Sequence, residues 1–289
     1  MKAAPFVYHA PTSKEDALTL LSSLHMEEAR LLAGGQSLVP MMAFRLARPG
    51  HLIDINRIPG LDYIRITDDS VVIGARARHA RFEAPIEDGP TGRLLAEVCD
   101  AIGHAPIRAR GTFGGSLANA DPASEWCMTA VGLDARLTLE KLGRRREIAA
   151  AHFFQGIMTT ALEVDEMLSE IRLPRLAAGV RFGFHEVSRR KGDFALAAAL
   201  AILDLEEGRI VAARLALGGA EAHPRRLTEV EAMLQDKPPG EALFAAAARA
   251  AADTLDPLTD DEIDADLRRR LAENELLLAL NAAHGSSGS

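Results

Sequence analysis

Two glycine doublets, each followed by a hydroxyl side chain, are the residues best suited to hold an anion. The first lies in residues 33–37 and ends at Ser37, and the second lies between Thr112 and Ser116. Consecutive glycines reach positive φ, so successive N–H groups can converge on a phosphate while the hydroxyls add donors. Either doublet alone is better explained as a turn. Together they predict two facing loops that grip the halves of a pyrophosphate.

Other chemical motifs are weak or missing. The sequence has no P-loop, no G-x-G-x-x-G opening a helix and no H-E-x-x-H. Ser116 lies in a Gly-Gly-Ser-Leu-Ala segment that resembles the nucleophile elbow of a serine hydrolase without its last glycine. Asp134 and His152 follow in a permissible order. A serine hydrolase using Ser116 is therefore one alternative function.

Composition excludes several classes of function. The 289 residues include 33 Lys and Arg against 41 Asp and Glu, a net charge of −8, and only 4% are aromatic. Nucleic-acid binding is disfavoured because it requires a positively charged surface and aromatic side chains on which bases stack. No apolar run reaches the roughly 20 residues of a membrane span, and no signal peptide is evident, which predicts a cytoplasmic protein. Two cysteines cannot hold an iron–sulfur cluster, so Cys99 and Cys127 are predicted to be small buried hydrophobes.

The spacing of apolar residues indicates the elements that must position the two loops. Alternating strands and helices predict a small βαβ layer over residues 1–57. Short alternating strands then predict a mostly antiparallel sheet with helices over residues 58–174. Strands followed by helices predict an α+β domain over residues 175–284. Residues 285–289, Gly-Ser-Ser-Gly-Ser, are expected to form a flexible tail.

Four ordered motifs, at residues 33–38, 52–57, 107–125 and 187–195, extend along most of the chain, and Leu-Gly-Gly-Ala-Glu follows at 217–221. The sequence resembles the FAD-binding medium subunit of the molybdenum hydroxylases, the xanthine dehydrogenase and carbon monoxide dehydrogenase family. The resemblance implies a two-part FAD-binding domain of the vanillyl-alcohol-oxidase or p-cresol-methylhydroxylase type and an α+β C-terminal domain.

The resemblance also implies site residues, with FAD as the cofactor. Residues 32–37 and 112–116 would hold the pyrophosphate and adjacent sugar oxygens. Three residues beyond them would contact the adenosine or ribityl portion, and three more would lie near the isoalloxazine ring. The implied FAD-binding residues are Leu32, Ala33, Gly34, Gly35, Gln36, Ser37, Thr112, Gly114, Gly115, Ser116, Asn119, Asp121, Glu125, Leu168, His185 and Phe194.

Several of these residues could have a role in the fold and none in FAD binding. Glu125 stands where relatives often have Asp and could instead cap a helix, and Leu168 could be ordinary core. His185 stands where some relatives place a lysine and could be an exposed strand histidine. Phe194 stands where relatives often have Tyr or Trp, so it keeps apolar contact without the hydroxyl. No catalytic residue and no metal ligand is predicted.

By resemblance, the chain is the flavoprotein subunit of a heteromeric molybdenum-containing dehydrogenase. Electrons from a molybdopterin-containing large subunit would pass through a 2Fe-2S small subunit to FAD and then to NAD or another acceptor. The resemblance further implies a dimer of large–medium–small trimers. A flavin-free scaffold within such a complex is the other alternative.

Overall fold

A computed structural model describes residues 2–261 and 263–285 of the chain. The first layer consists of β1 (Val7–His9), α1 (Lys14–Leu24), β2 (Ala29–Leu32), α2 (Leu38–Ala43) and β3 (His51–Asp54). Its sheet is parallel, with the strand order β1-β3-β2. The carboxyl ends of β2 and β3 therefore lie at the same edge, with Leu32 opposite Asp54.

Helix α1 shows how local sequence builds this layer. The Ser13 hydroxyl accepts the Asp16 N–H at 3.0 Å, which satisfies one free donor of the first turn. Ala17, Leu18 and Leu21 fall on one face at helical spacing and pack into a core that includes Ile53 of β3. The predicted βαβ layer is confirmed.

The middle part of the chain forms a five-stranded antiparallel sheet in the order β4-β5-β10-β6-β7, with helices packed on it and a small β8-β9 hairpin. The predicted antiparallel pairing of β4 with β5 is present. Its elements are β4 (Ile64–Ile66), β5 (Ser70–Gly74), α3 (Pro90–Ala101), α4 (Ala105–Arg108), α5 (Phe113–Asn119), α6 (Glu125–Gly132), β6 (Arg136–Lys141), β7 (Arg144–Ala149), α7 (Ala150–Phe153), β8 (Phe154–Gly156), β9 (Thr159–Thr160) and β10 (Met167–Pro174).

The C-terminal part is a four-stranded antiparallel sheet, in the order β11-β12-β13-β14, with helices on one face. One face of β12 packs against these helices, and the opposite face, through Ala198 and Leu200, joins the core of the middle sheet. Gly183 allows close contact with the Ala279 backbone of the last helix. The elements are β11 (Arg181–Val187), β12 (Ala197–Glu206), β13 (Arg209–Gly218), β14 (Arg225–Arg226), α8 (Thr228–Leu234), α9 (Glu241–Asp253) and α10 (Ala265–Gly285).

The sequence also led to predictions for the C-terminal residues and for the two cysteines. Gly285, predicted to begin a flexible tail, is instead the last residue of α10, and residues 286–289 lie outside the described residues. Cys99 and Cys127 are buried, as predicted. Within the described ranges, no helix is both long enough and apolar enough to cross a membrane.

Candidate functional site

A cavity of about 300 Å³ opens at the carboxyl ends of the parallel strands β2 and β3. Residues 32–36 of the first loop (residues 32–37) line one side. Asp54 and Asn56 line it from the end of β3, and Arg110 enters from the segment before the second loop (residues 111–116). Arg110 is a basic residue of this lining, and an anion needs a local positive charge in a protein of net charge −8.

The two loops touch through Gly34. A Cβ added at Gly34 would lie 2.8 Å from the Gly111 Cα and still closer to the Arg110 carbonyl oxygen. Gly35 has a φ of +75°, in the left-handed region that glycine adopts without strain. The structure thus places the first glycine doublet against the segment that leads into the second, about 80 residues further along the sequence, and a Cβ added at Gly115 would lie 3.8 Å from the Ala33 Cβ.

A hydrogen-bonded chain fixes the distance between these walls. The Asn56 side-chain N–H donates to the Ala33 carbonyl oxygen at 2.7 Å. The Asn56 Oδ1 accepts from the Arg78 guanidinium at 2.5 Å, and that guanidinium also donates to the Arg110 carbonyl oxygen. One asparagine and one arginine therefore join the first loop to the backbone that leads into the second loop.

The second loop is the start of helix α5. The Thr112 hydroxyl accepts the Gly115 N–H at 3.1 Å and caps the helix. A Cβ at Gly114 would lie 2.6 Å from the Ala75 Cα, so this glycine is needed for close packing on the strand below. Ser116 follows within the first turn and is partly exposed.

An aromatic and imidazole cluster supports the second loop from below. Phe113 stacks on Trp126 with ring centroids 4.5 Å apart. The Trp126 indole N–H donates to His79 Nδ1 at 3.0 Å, and the His79 backbone N–H donates to the Gly111 carbonyl oxygen at 3.1 Å. Burial, and then the charge of Arg78, lowers the pKa of His79 to about 4. Because indole only donates, His79 is neutral and carries its proton on Nε2.

Glu125 is the first residue of α6 and is only 9% exposed. Burial, and then the charge of Glu186, raises its pKa to about 8. The helix-cap position itself belongs to Ser124, whose side chain makes no capping hydrogen bond. The Cys127 thiol donates to the Ser116 carbonyl oxygen at 3.5 Å, which holds this first turn of α6 against the second loop.

The connection between α5 and α6 contains the two weaker candidates. Asn119 is the last residue of α5 and is half-buried. The Asp121 carboxylate accepts the Ala123 N–H at 3.0 Å, which shapes the turn before α6. Asp121 also contributes to the raised pKa of Glu125, so its carboxylate lies near that group.

A second cavity, of about 330 Å³, lies between α3 and β11. Glu97, His185 and Glu186 line it. His185 is part-exposed and forms an ion pair through Nδ1 with the buried carboxylate of Glu275. Burial, and then the charge of Glu275, raises the pKa of Glu186 to about 7. His185 is thus a paired cavity residue and not simply an exposed strand histidine.

The remaining predicted residues occupy different environments. Leu168 of β10 is buried in the core of the middle sheet. Phe194 lies in the loop between β11 and β12 and is 69% exposed. No hydrogen bond among the described residues connects either one to the two glycine loops.

The structure gives no support to the serine hydrolase alternative. Asp134 forms an ion pair with Arg226 at 2.6 Å, and His152 is exposed in α7. In the described part of the chain, neither side chain makes a hydrogen bond to Ser116. The order Ser, Asp, His in the sequence is therefore not matched by a charge-relay arrangement.

Sequence reasoning assigned no role to Asn56, Arg78 or Arg110. Asn56 lies within a motif that carried the family resemblance, and it directly follows a buried strand. Because ligands bind outside the carboxyl ends of parallel strands, that position was a usable signal. Arg110 also lies within such a motif, at residues 107–125, whereas Arg78 is positioned by tertiary packing that no local pattern indicates.

Comparison with known families divides the chain into two matches. Residues 4–176 match the family described as the FAD binding domain in molybdopterin dehydrogenase. Residues 182–283 match the CO dehydrogenase flavoprotein C-terminal domain.

Individual proteins resemble the chain over nearly its whole length. It is 37% identical to the caffeine dehydrogenase subunit beta of a Pseudomonas species, covering 94% of this chain and 92% of that protein. It is also 37% identical to the carbon monoxide dehydrogenase medium chain of Hydrogenophaga pseudoflava, with 96% of each covered. A solved structure of carbon monoxide dehydrogenase from H. pseudoflava superposes with a TM-score of 0.94 at 38% identity, covering 98% of this chain and 99% of that chain.

Proposed function

The chain belongs to the family of FAD-binding medium subunits of molybdopterin dehydrogenases, and we propose that it passes electrons from an iron–sulfur partner subunit through FAD to an external acceptor. Its cofactor is FAD, and its relatives are subunits of oxidoreductases. When bound, FAD supplies a centre that exchanges electrons singly or in pairs.

The contact between the two glycine loops is the observation that carries this proposal. The cleft beside Gly34 and Gly35 fits a pyrophosphate because the glycine backbone of residues 34–36 lines it and Arg110 lies in the same lining. In our proposal the backbone N–H groups of residues 34–36 bind the phosphates, while Ser37, Thr112 and Ser116 add hydroxyl groups. The N–H groups of residues 114–116 already donate to Ala75 and Thr112, so the second loop contributes through its hydroxyls. Asn56 and Arg78 keep the two walls apart at a fixed distance.

We place the ring end of the cofactor toward the second cavity. The first turn of α6 lies against Ser116 through Cys127, and its Glu125 is close enough to Glu186 for the two carboxyls to interact. Glu186 and His185 line the second cavity. A cofactor that extends from the loops past α6 would therefore reach His185, one of the three residues predicted to lie near the isoalloxazine.

The proposed partners are a molybdopterin-containing large subunit and a 2Fe-2S small subunit, assembled as a dimer of trimers. The surface supports a heteromeric role, since Phe44 and Leu46 after α2 are 66% and 77% exposed and Val39 is also exposed nearby. Exposed apolar groups of this kind are typical of interaction surfaces. NAD or another acceptor would take the electrons, and a cytoplasmic location stays a prediction.

Co-expression with its partner subunits tests this function. The purified complex would be reduced anaerobically with dithionite, and NAD or an artificial acceptor would then be added while the flavin absorbance is followed. We expect flavin absorbance to recover as the acceptor is reduced. A complex that contains flavin but whose flavin is reoxidised by no acceptor would contradict the electron-transfer role. A complex without flavin would favour the scaffold alternative.

A further inference from the structure

The buried carboxyl group of Glu125 and the half-buried one of Glu186 interact electrostatically where the FAD-binding part meets the C-terminal sheet. Glu125 begins α6, which packs against β12, and Glu186 lies on the neighbouring strand β11. Apart from its own backbone N–H, the Glu125 carboxyl has no hydrogen-bond partner among the residues described. The Glu186 Oε2 atom is buried and, within the same described ranges, also has no partner.

The charges around this pair are mostly negative. Asp121 faces Glu125 from the α5–α6 connection, and Glu275 of α10 faces Glu186. The His185 imidazole also lies near Glu186, but its Nδ1 is bound to Glu275. Glu97 of α3 has a raised pKa, caused mainly by burial, and it lies near the Phe184 backbone and His185.

At the cavity rim, Lys191 is paired with Asp100 at 2.7 Å, so it does not neutralise the carboxyl pair. The side of Glu186 toward β12 is apolar, since its neighbour in the antiparallel register is Ala198. A buried carboxyl pair without a free cation is most stable when at least one member is protonated.

We propose that Glu125 and Glu186 form an electrostatically coupled pair that takes up a proton from solvent when FAD binds. This inference rests on the proposed function. FAD excludes water from the cleft and brings two phosphate charges, and both effects disfavour ionised carboxyls nearby. The reaction is the conversion of one carboxylate and one solvent proton to a carboxylic acid, with no electron transferred.

The pKa values place the effect in an accessible pH range. The pKa of Glu186 is raised to about 7 and that of Glu125 to about 8. In the proposal, binding of FAD raises both values further. Because the bound state holds more protons, FAD affinity must fall as the pH rises through this range. Each fully linked proton changes the dissociation constant by roughly tenfold per pH unit. We expect the Kd for FAD to rise about tenfold between pH 6.5 and 8.5.

Calorimetric titration of the full chain with FAD measures this linkage directly. Titrations at pH 7.5 in two buffers with different ionisation enthalpies report the number of protons exchanged. We expect an uptake of roughly 0.5 to 1 proton per FAD. The double variant Glu125→Gln/Glu186→Gln keeps the side-chain shapes but cannot titrate, so uptake and the pH dependence of the Kd should both disappear.

A control variant makes the outcome specific. Glu206→Gln, an exposed position at the end of β12, makes the same chemical change away from the cavity and should retain the wild-type proton uptake. Uptake that survives in the double glutamine variant, or disappears in Glu206→Gln as well, would overturn the inference. Wild-type FAD binding without proton uptake would do so as well, whereas no FAD binding at any pH would reject the proposed function and this inference with it.

Discussion

Replacement of Gly34 by alanine separates the two loops with a single methyl group. The added Cβ would lie 2.8 Å from the Gly111 Cα, whereas ordinary contacts of this type begin near 3.4 Å. The obstructing atoms are backbone atoms, so they cannot move aside as a flexible side chain would. The loops must therefore separate by about 0.6 Å or more.

This displacement misaligns N–H groups on one wall relative to the other. A hydrogen bond to a charged phosphate contributes about 1.5 to 3 kcal/mol. Loss of one such bond raises the Kd for FAD by roughly 10-fold to 150-fold. Overpacking at the contact also lowers the free energy of unfolding by about 1 to 3 kcal/mol.

Fluorescence of Trp126, the single tryptophan, provides the assay because its ring stacks on Phe113 of the second loop. Titration with FAD should quench this fluorescence and give the Kd of the wild type and the Gly34→Ala variant. Gly179→Ala is the matched control, since a Cβ there meets nothing within 4 Å. A Gly34→Ala variant that binds FAD with the wild-type Kd would refute the two-loop site.

Three further changes test other parts of the account. Thr112→Val removes the acceptor of the Gly115 N–H, so the free energy of unfolding should fall by about 1 kcal/mol and FAD should bind more weakly. Urea denaturation measures the first effect and titration with FAD the second. An unchanged midpoint of urea denaturation would contradict the capping role of Thr112. His79 has a pKa of about 4 in the fold against 6.5 for the free side chain, so folding excludes its proton and stability is lost as the pH falls from 6.5 to 4. Relative to His79→Gln, the wild type should lose about 3 kcal/mol of unfolding free energy over that range; parallel urea-denaturation curves would contradict this. Phe44→Ser should leave the Kd for FAD unchanged but reduce co-purification of the partner subunits, and undiminished recovery would exclude this surface from the interface.

Local sequence was sufficient to indicate some of the elements of this fold. The Ser13 cap and the apolar spacing after it indicate α1 correctly, and the strand patterns around residues 64–74 indicate the hairpin. Both signals act within a few residues, where capping and side-chain periodicity determine the structure. The two glycine doublets were also recognisable because their residue types are unusual.

The connections between distant segments were not predictable in the same way. Asn56, Arg78 and Arg110 meet only because the βα layer packs against the middle sheet. The interaction of Glu125 with Glu186 likewise requires α6 to pack on the C-terminal sheet. The pattern of a single sequence does not indicate such contacts between distant segments, because none of these residues stands out from its sequence neighbours.

The flavin content of the purified protein tests the central claim most directly. The chain would be purified alone and with its partner subunits, denatured, and the released FAD measured by absorbance against protein concentration. We predict about one FAD per chain in the complex, bound by the two glycine loops. A correctly assembled complex that releases no flavin would contradict the claim and identify the chain as a scaffold.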